Sequence, residues 1–86
     1  VGLVHNMYYV YLIKSLSHPD KNYIGYTTNL EQRFEKHNSG ATIYTALYRP
    51  WKLVMYMCFE DKVRATQFEK YLKTGSGNAF AKKRLW

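Results

Sequence analysis

Apolar and polar residues fall into blocks whose spacing predicts the elements of the chain. Met7 to Lys14 (MYYVYLIK) is aromatic and β-branched with almost no polar interruption. That is the pattern of a strand covered on both faces, hence a central one. Ser15 to Asn22 carries Pro19, Asp20 and Asn22 and reads as a loop. Tyr23 to Thr27 is a second, shorter strand, and the intervening length suits an antiparallel hairpin. Thr28 followed by Glu31 is a capping box. It predicts a helix with Leu30, Phe34 and His37 on one face, stopped by Asn38-Ser39-Gly40. Ala41 to Arg49 shows no period and is expected to be a loop. Pro50 to Phe59 is a third strand, with Trp51, Leu53, Met55, Met57 and Phe59 expected on one face. Asp61 is the expected cap of a second helix whose stripe is Ala65, Phe68 and Leu72. Gly75 or Gly77 is expected to end that helix, Gly75-Ser76-Gly77 reading as a flexible turn. Asn78 to Leu85 is a short third helix. The order β-β-α-β-α-α predicts an α+β fold, a small three-stranded antiparallel sheet flanked by helices.

Length and charge narrow the class. The chain has 86 residues, the size of one domain. Residues 7–86 are assigned to that domain, and residues 1–6 to an N-terminal extension or tag remnant before Met7. Thirteen Lys and Arg against six Asp and Glu give a net charge of +7. From Lys62 to Trp86 there are seven basic residues and one acid, Glu69. Such a balance favours a polyanionic partner. No segment approaches the ~18–20 apolar residues of a membrane-spanning helix, so no membrane association is expected. One cysteine, Cys58, excludes an intrachain disulfide and suits a reducing cytosol. The three histidines and Cys58 lack zinc spacing, and neither a phosphate-binding P-loop nor a nucleophile elbow is present.

A few residues stand out chemically. Glu69 falls in the helical stripe Ala65-Phe68-Glu69-Leu72, where a carboxylate is costly unless it is paired or binds a metal. A bland alternative is an ion pair with Lys73 at i+4. Arg33 and His37 share one face of the first helix. An Arg forks onto phosphate oxygens, and a His donates to phosphate or shuttles a proton. The alternative is a solvated Arg paired with a nearby Glu, and a His facing the helix dipole. Tyr11 and Tyr23 stand on the first two strands. If the hairpin aligns them, two phenols meet beside Gly25, which would leave room for a ligand backbone.

These residues together resemble the GIY-YIG nuclease superfamily, specifically its small single-domain, excision-repair-incision-subunit-like members. Tyr9-Val10-Tyr11 stands for the first motif, with Tyr and Val replacing Gly and Ile, and Tyr23-Ile24-Gly25 carries the second intact. Asn29 to Gly40 matches the family's Arg-and-His segment, Pro50 to Val54 its third strand, and Ala65 to Lys73 the helix with its glutamate. The likeness spans Tyr8 to Leu85. It implies an endonuclease that cleaves DNA phosphodiesters, with structured or damaged DNA as the expected substrate. One divalent cation, Mg2+ or Mn2+, would be held by Glu69. It implies that Arg33 stabilises transition-state charge and that Tyr11 activates the attacking water. Tyr23 would position that water or share its proton, His37 would hydrogen-bond Tyr11 or the phosphate, and Gly25 would keep the site open. Lys70, Lys73 and Asn78 are expected to contact substrate. A homodimer or a separate targeting partner, and a cytoplasmic, nucleoid-associated location, are expected. The alternatives are a non-catalytic nucleic-acid-binding module of the same fold and a protein-interaction module using Trp51, Trp86 and Tyr44.

Overall fold

The computed structural model describes residues 7–86, so the assigned extension 1–6 lies outside the described residues. The uninterrupted apolar strand is indeed central. β1 (Tyr8–Ser15) pairs antiparallel with β2 (Asn22–Thr27) on one side and with β3 (Trp51–Phe59) on the other, giving the order β2-β1-β3. Val10, Tyr11, Leu12 and Ile13 are all fully buried. Their alternation serves two layers. Val10 and Leu12 pack with Ile24, Ala65, Leu72 and Ala81. Tyr11 and Ile13 pack with Trp51, flanked by Leu30 and Phe34. Helix α1 (Leu30–Ser39) therefore covers one face, while α3 (Lys62–Leu72) and α4 (Gly75–Arg84) cover the other. Among the described residues, no helix is long and apolar enough to cross a membrane.

Four local expectations are corrected. The cap of α1 is Asn29, not Thr28. Asn29 Oδ1 accepts from the Gln32 amide at 3.0 Å, and Thr27 Oγ1 accepts from the Asn29 amide at 3.1 Å. That bracing moves the helix start by one residue, and Asn caps as well as Thr. The stretch read as a loop contains a short helix, α2 (Ile43–Leu47). It is anchored from outside by Trp51, whose indole N–H donates to the Thr45 carbonyl at 2.8 Å. The five-residue stripe of β3 is split. The register against β1 shifts between Leu12 and Ile13, so Leu12 faces Met55 while Ile13 faces Leu53. Val54 is the extra residue, and a bulge of one residue swaps the faces beyond it. Trp51 joins the α1 layer, with Leu53 packed beside it, whereas Met55 and Phe59 pack against the other layer.

The fourth correction concerns the α3–α4 corner. Gly75-Ser76-Gly77 is the first turn of α4, capped by Thr74, whose side chain accepts from the Gly77 amide at 3.1 Å. Gly77 is buried, and a Cβ there would collide with the Tyr71 carbonyl. Around Gly75 a Cβ would meet open space. The two glycines should therefore respond differently to the same change. Gly77→Ala is expected to lower stability by about 1–3 kcal/mol. Gly75→Ala is expected to be neutral or stabilising by about 0.4–1 kcal/mol. Urea unfolding of both variants measures the contrast.

Candidate active site

The site begins with a phenol in the middle of the sheet. Tyr11 lies opposite Gly25 in the β1–β2 register. A Cβ on Gly25 would run into the Tyr11 ring and hydroxyl. The glycine thus leaves room for Tyr11 itself, where the sequence suggested room for a ligand backbone. Tyr11 Oη lies 2.6 Å from His37 Nε2, a hydrogen bond spanning 26 residues of sequence. His37 is 2% exposed and comes from the last turn of α1. Tyr23 closes the group, its ring centroid 5.1 Å from His37 and 6.4 Å from Tyr11. The helical and strand registers together bring Tyr11, Tyr23 and His37 to one place.

Electrostatics set the protonation of the pair. Burial pushes the Tyr11 phenol up to about 12, Tyr23 and Glu69 add to the rise, and the Arg33 guanidinium opposes it. Arg33 therefore acts on Tyr11, as its position one turn before His37 suggests. Burial, helped by Arg33, holds the His37 pKa below its ordinary value. At neutral pH the pair is a neutral phenol and a neutral imidazole. His37 Nδ1 is buried with no hydrogen-bond partner among the described residues. A neutral imidazole has one donor and one acceptor, so one of its polar atoms stays unsatisfied in either tautomer. Such a group costs about 1–3 kcal/mol.

Glu69 approaches from α3, which contacts β2 as well as β1. Its side chain is 18% exposed, and Lys73 Nζ binds Glu69 Oε2 at 2.5 Å. The i+4 ion pair is thus formed. The same ammonium lies 5.8 Å from the centroid of the Tyr23 ring, which links α3 to the phenol pair. Among the described residues, no group of three His, Cys, Asp or Glu converges. A single hard carboxylate suits Mg2+ or Mn2+, which fill their shells with water and phosphate oxygens, and does not suit zinc. Asn78, in the first turn of α4, lines a cleft with Tyr23 and Lys73. Lys70 is exposed and is not among the residues of that cleft. The aromatics suggested as protein contacts separate. Trp51 is 3% exposed, Trp86 packs on the core, and only Tyr44 is open, at 42%.

The GIY-YIG catalytic domain profile matches residues 7–84. The chain belongs to this GIY-YIG family. A UPF0213 protein of Clostridium perfringens is 41% identical over 68 residues, 78% of this chain and 71% of that protein. The structure-specific endonuclease subunit SLX1 of Malassezia globosa is 37% identical over 67 residues, 73% of this chain but 15% of that protein. The solution NMR structure of a UPF0213 protein from Bacillus halodurans superposes with a TM-score of 0.54 at 29% identity. That match covers 90% of this chain and 83% of the other. Membership of a catalytic-domain family and the likeness to an endonuclease subunit support a nuclease function, while the UPF0213 names carry no activity. Tyr11 and Tyr23, which by resemblance stand at the motif tyrosines, are the two phenols gathered around His37.

Two outcomes follow from the geometry. Gly25→Ala should force the Tyr11 ring off His37, costing about 1–3 kcal/mol, read by urea unfolding. The depressed His37 pKa makes the unfolded chain take up the proton first as pH falls. Its contribution to stability is complete above about pH 6.5, the ordinary value, and declines below it. The slope is at most about 1.4 kcal/mol per pH unit. Unfolding measured at pH 7 and pH 5 should show this loss in the wild type and less of it in His37→Gln.

Proposed function

We propose that this chain is a divalent-metal-dependent endonuclease that hydrolyses DNA phosphodiesters, with structured DNA as its substrate. The observation that carries the reading is the cluster of Tyr11, His37 and Tyr23, with Tyr11 Oη 2.6 Å from His37 Nε2 and with Glu69 of α3 linked to Tyr23 through Lys73. Hydrolysis adds water to phosphorus, breaks one P–O ester bond, and leaves a phosphate and a hydroxyl. Glu69 would hold the cation, which when bound supplies positive charge to the phosphate and the departing oxygen.

The remaining work falls to side chains of the chain. Arg33 forks onto the non-bridging phosphate oxygens and balances the charge that builds on them. Tyr11 is a poor base by itself, since a phenol titrating near 12 is almost wholly protonated at pH 7. His37 supplies the missing capacity. It is neutral, and its Nε2 is within hydrogen-bond distance of Tyr11 Oη. As Tyr11 Oη takes a proton from the attacking water, its own proton passes to Nε2. The departing oxygen takes a proton from solvent to become the hydroxyl, and His37, with its lowered pKa, returns its proton to solvent. Tyr23, packed on both rings, positions the water. Lys73 neutralises Glu69 until a cation replaces it.

Because the chain aligns with a small part of the SLX1 subunits, a partner that targets the substrate belongs to the proposal, as does a cytoplasmic, nucleoid-associated location. The one observation favouring a binding module without catalysis is the Lys73–Glu69 pair, which already satisfies the carboxylate's charge.

The test incubates the chain with labelled duplex, single-stranded, flapped and four-way DNA in Mg2+, Mn2+ or EDTA. Cleavage is expected with either cation and not in EDTA. Glu69→Ala should lower the rate at least about 100-fold, close to 3 kcal/mol of transition-state stabilisation, while DNA binding persists. Binding without cleavage in every arm would favour the non-catalytic module. The relay also fixes a pH profile. With His37 neutral above its lowered pKa, the rate should be flat from about pH 7 to 9. A tenfold rise per pH unit would instead mean that Tyr11 reacts as a preformed phenolate.

A further inference from the structure

The proposed hydrolysis leaves one built feature unused. A cleft of about 400 Å3 opens next to the phenol pair, with Tyr23, Tyr44, Leu72, Lys73 and Asn78 among its walls. Tyr23 is the shared wall between this cleft and the Tyr11–His37 pair. Opposite it stands Tyr44 of α2, with ring centroids 6.1 Å apart. Tyr44 is 42% exposed, yet its ring also packs with Tyr48 at 5.2 Å and with the buried Trp51 at 6.3 Å between centroids. The bond from the Trp51 indole to Thr45 fixes the helix that carries it. An aromatic ring restrained by packed neighbours and still partly exposed loses little entropy when a ligand stacks on it.

The polar parts of the cleft have a matching character. The Asn78 side chain, exposed in the first turn of α4, makes no hydrogen bond among the described residues and offers both a donor and an acceptor. Lys73 supplies a cation at the wall shared with Glu69. A flat aromatic face, an amide that reads a heteroatom edge, and a cation for the adjoining phosphate are what an unstacked nucleobase needs. The chain's net charge of +7 complements the polyanion that would deliver it. A base still paired and stacked in a duplex presents neither its face nor its pairing edge.

We propose that the Tyr23–Tyr44–Asn78 cleft is a nucleobase site that receives one unpaired base next to the scissile phosphate. This rests on the nuclease reading and deepens it, because it makes Tyr44 the residue that selects partly single-stranded substrates over continuous duplex.

The test is run in EDTA, so that binding is read without cleavage. Three otherwise identical DNA probes are titrated: a continuous duplex, a flap with one unpaired 2-aminopurine at the branch, and the same flap with an abasic residue there. The wild type is expected to bind the 2-aminopurine flap about 5- to 150-fold more tightly than the abasic flap, the range of one stacked base. The probe's fluorescence should change on binding. Tyr44→Ala should abolish that preference and the fluorescence change, with duplex affinity unaltered, and Tyr44→Phe should retain both. Equal affinity of the wild type for the base-containing and abasic flaps overturns the proposal without needing any variant. Loss of self-association in Tyr44→Ala with no effect on base preference also overturns it, and marks the Tyr44 patch as a protein contact. A parallel Mg2+ arm keeps the two readings separate. Base preference without cleavage upholds the cleft and removes the nuclease, while cleavage without base preference does the reverse.

Discussion

A phenol buried in the centre of a three-stranded sheet cannot stay unpartnered without a cost of about 1–3 kcal/mol, and much of the site follows from how Tyr11 is satisfied. Its hydroxyl needs space on the neighbouring strand, which is why Gly25 stands opposite it. It needs a hydrogen-bond partner, which is why α1 lies across that face with His37 in its last turn. Placing His37 there fixes Arg33 one turn earlier, close enough to act on both groups. The packing of Leu30 and Phe34 against Ile13 and Trp51 holds the helix in that position. One buried hydrogen bond thus ties the sheet, the first helix and the cationic group together.

The second helix layer packs on the sheet and also brings charge to the site. Ala65 and Leu72 of α3 are fully buried, while Glu69 on the same stripe stays partly open. Lys73 holds it as a counter-ion and touches Tyr23 with the same ammonium. That arrangement lets a carboxylate persist on a largely apolar stripe, with a counter-ion whose side chain is half exposed. A protein-only metal cage would need further carboxylates or imidazoles, and the described residues provide none. On the proposed reading the donor set would be completed by water and a phosphate, which would make cation and substrate interdependent.

The sequence carried the architecture where burial has a simple signature. The run from Tyr8 to Ile13 announces a central strand, because both faces are covered and polar positions vanish. Asp61 caps α3 as expected. The failures come from features that local pattern does not encode. The bulge at Val54 inverts the faces of β3, and alternation along one strand cannot reveal a pairing slip in another. Asn29 and Thr28 are both competent caps, and the choice is made by Thr27. Gly77 looks like a helix terminator but is a packing contact against Tyr71. Helix α2 is too short to show a period. The candidate residues became legible through their resemblance to a family. Spacing alone could place Arg33 beside His37, but not His37 on a tyrosine 26 residues away. Nor could it tell that the room beside Gly25 is used by Tyr11.

In the proposed reaction Tyr11 and His37 act as one unit in proton transfer. A double-mutant cycle on DNA cleavage in Mg2+ tests this most directly, using Tyr11→Phe, His37→Gln and the double variant, with DNA affinity measured in parallel. If the pair is a relay, each single change should cost about as much as both together, because either one breaks the same path. Losses that multiply across the two positions, or a His37→Gln variant with full activity, would contradict it.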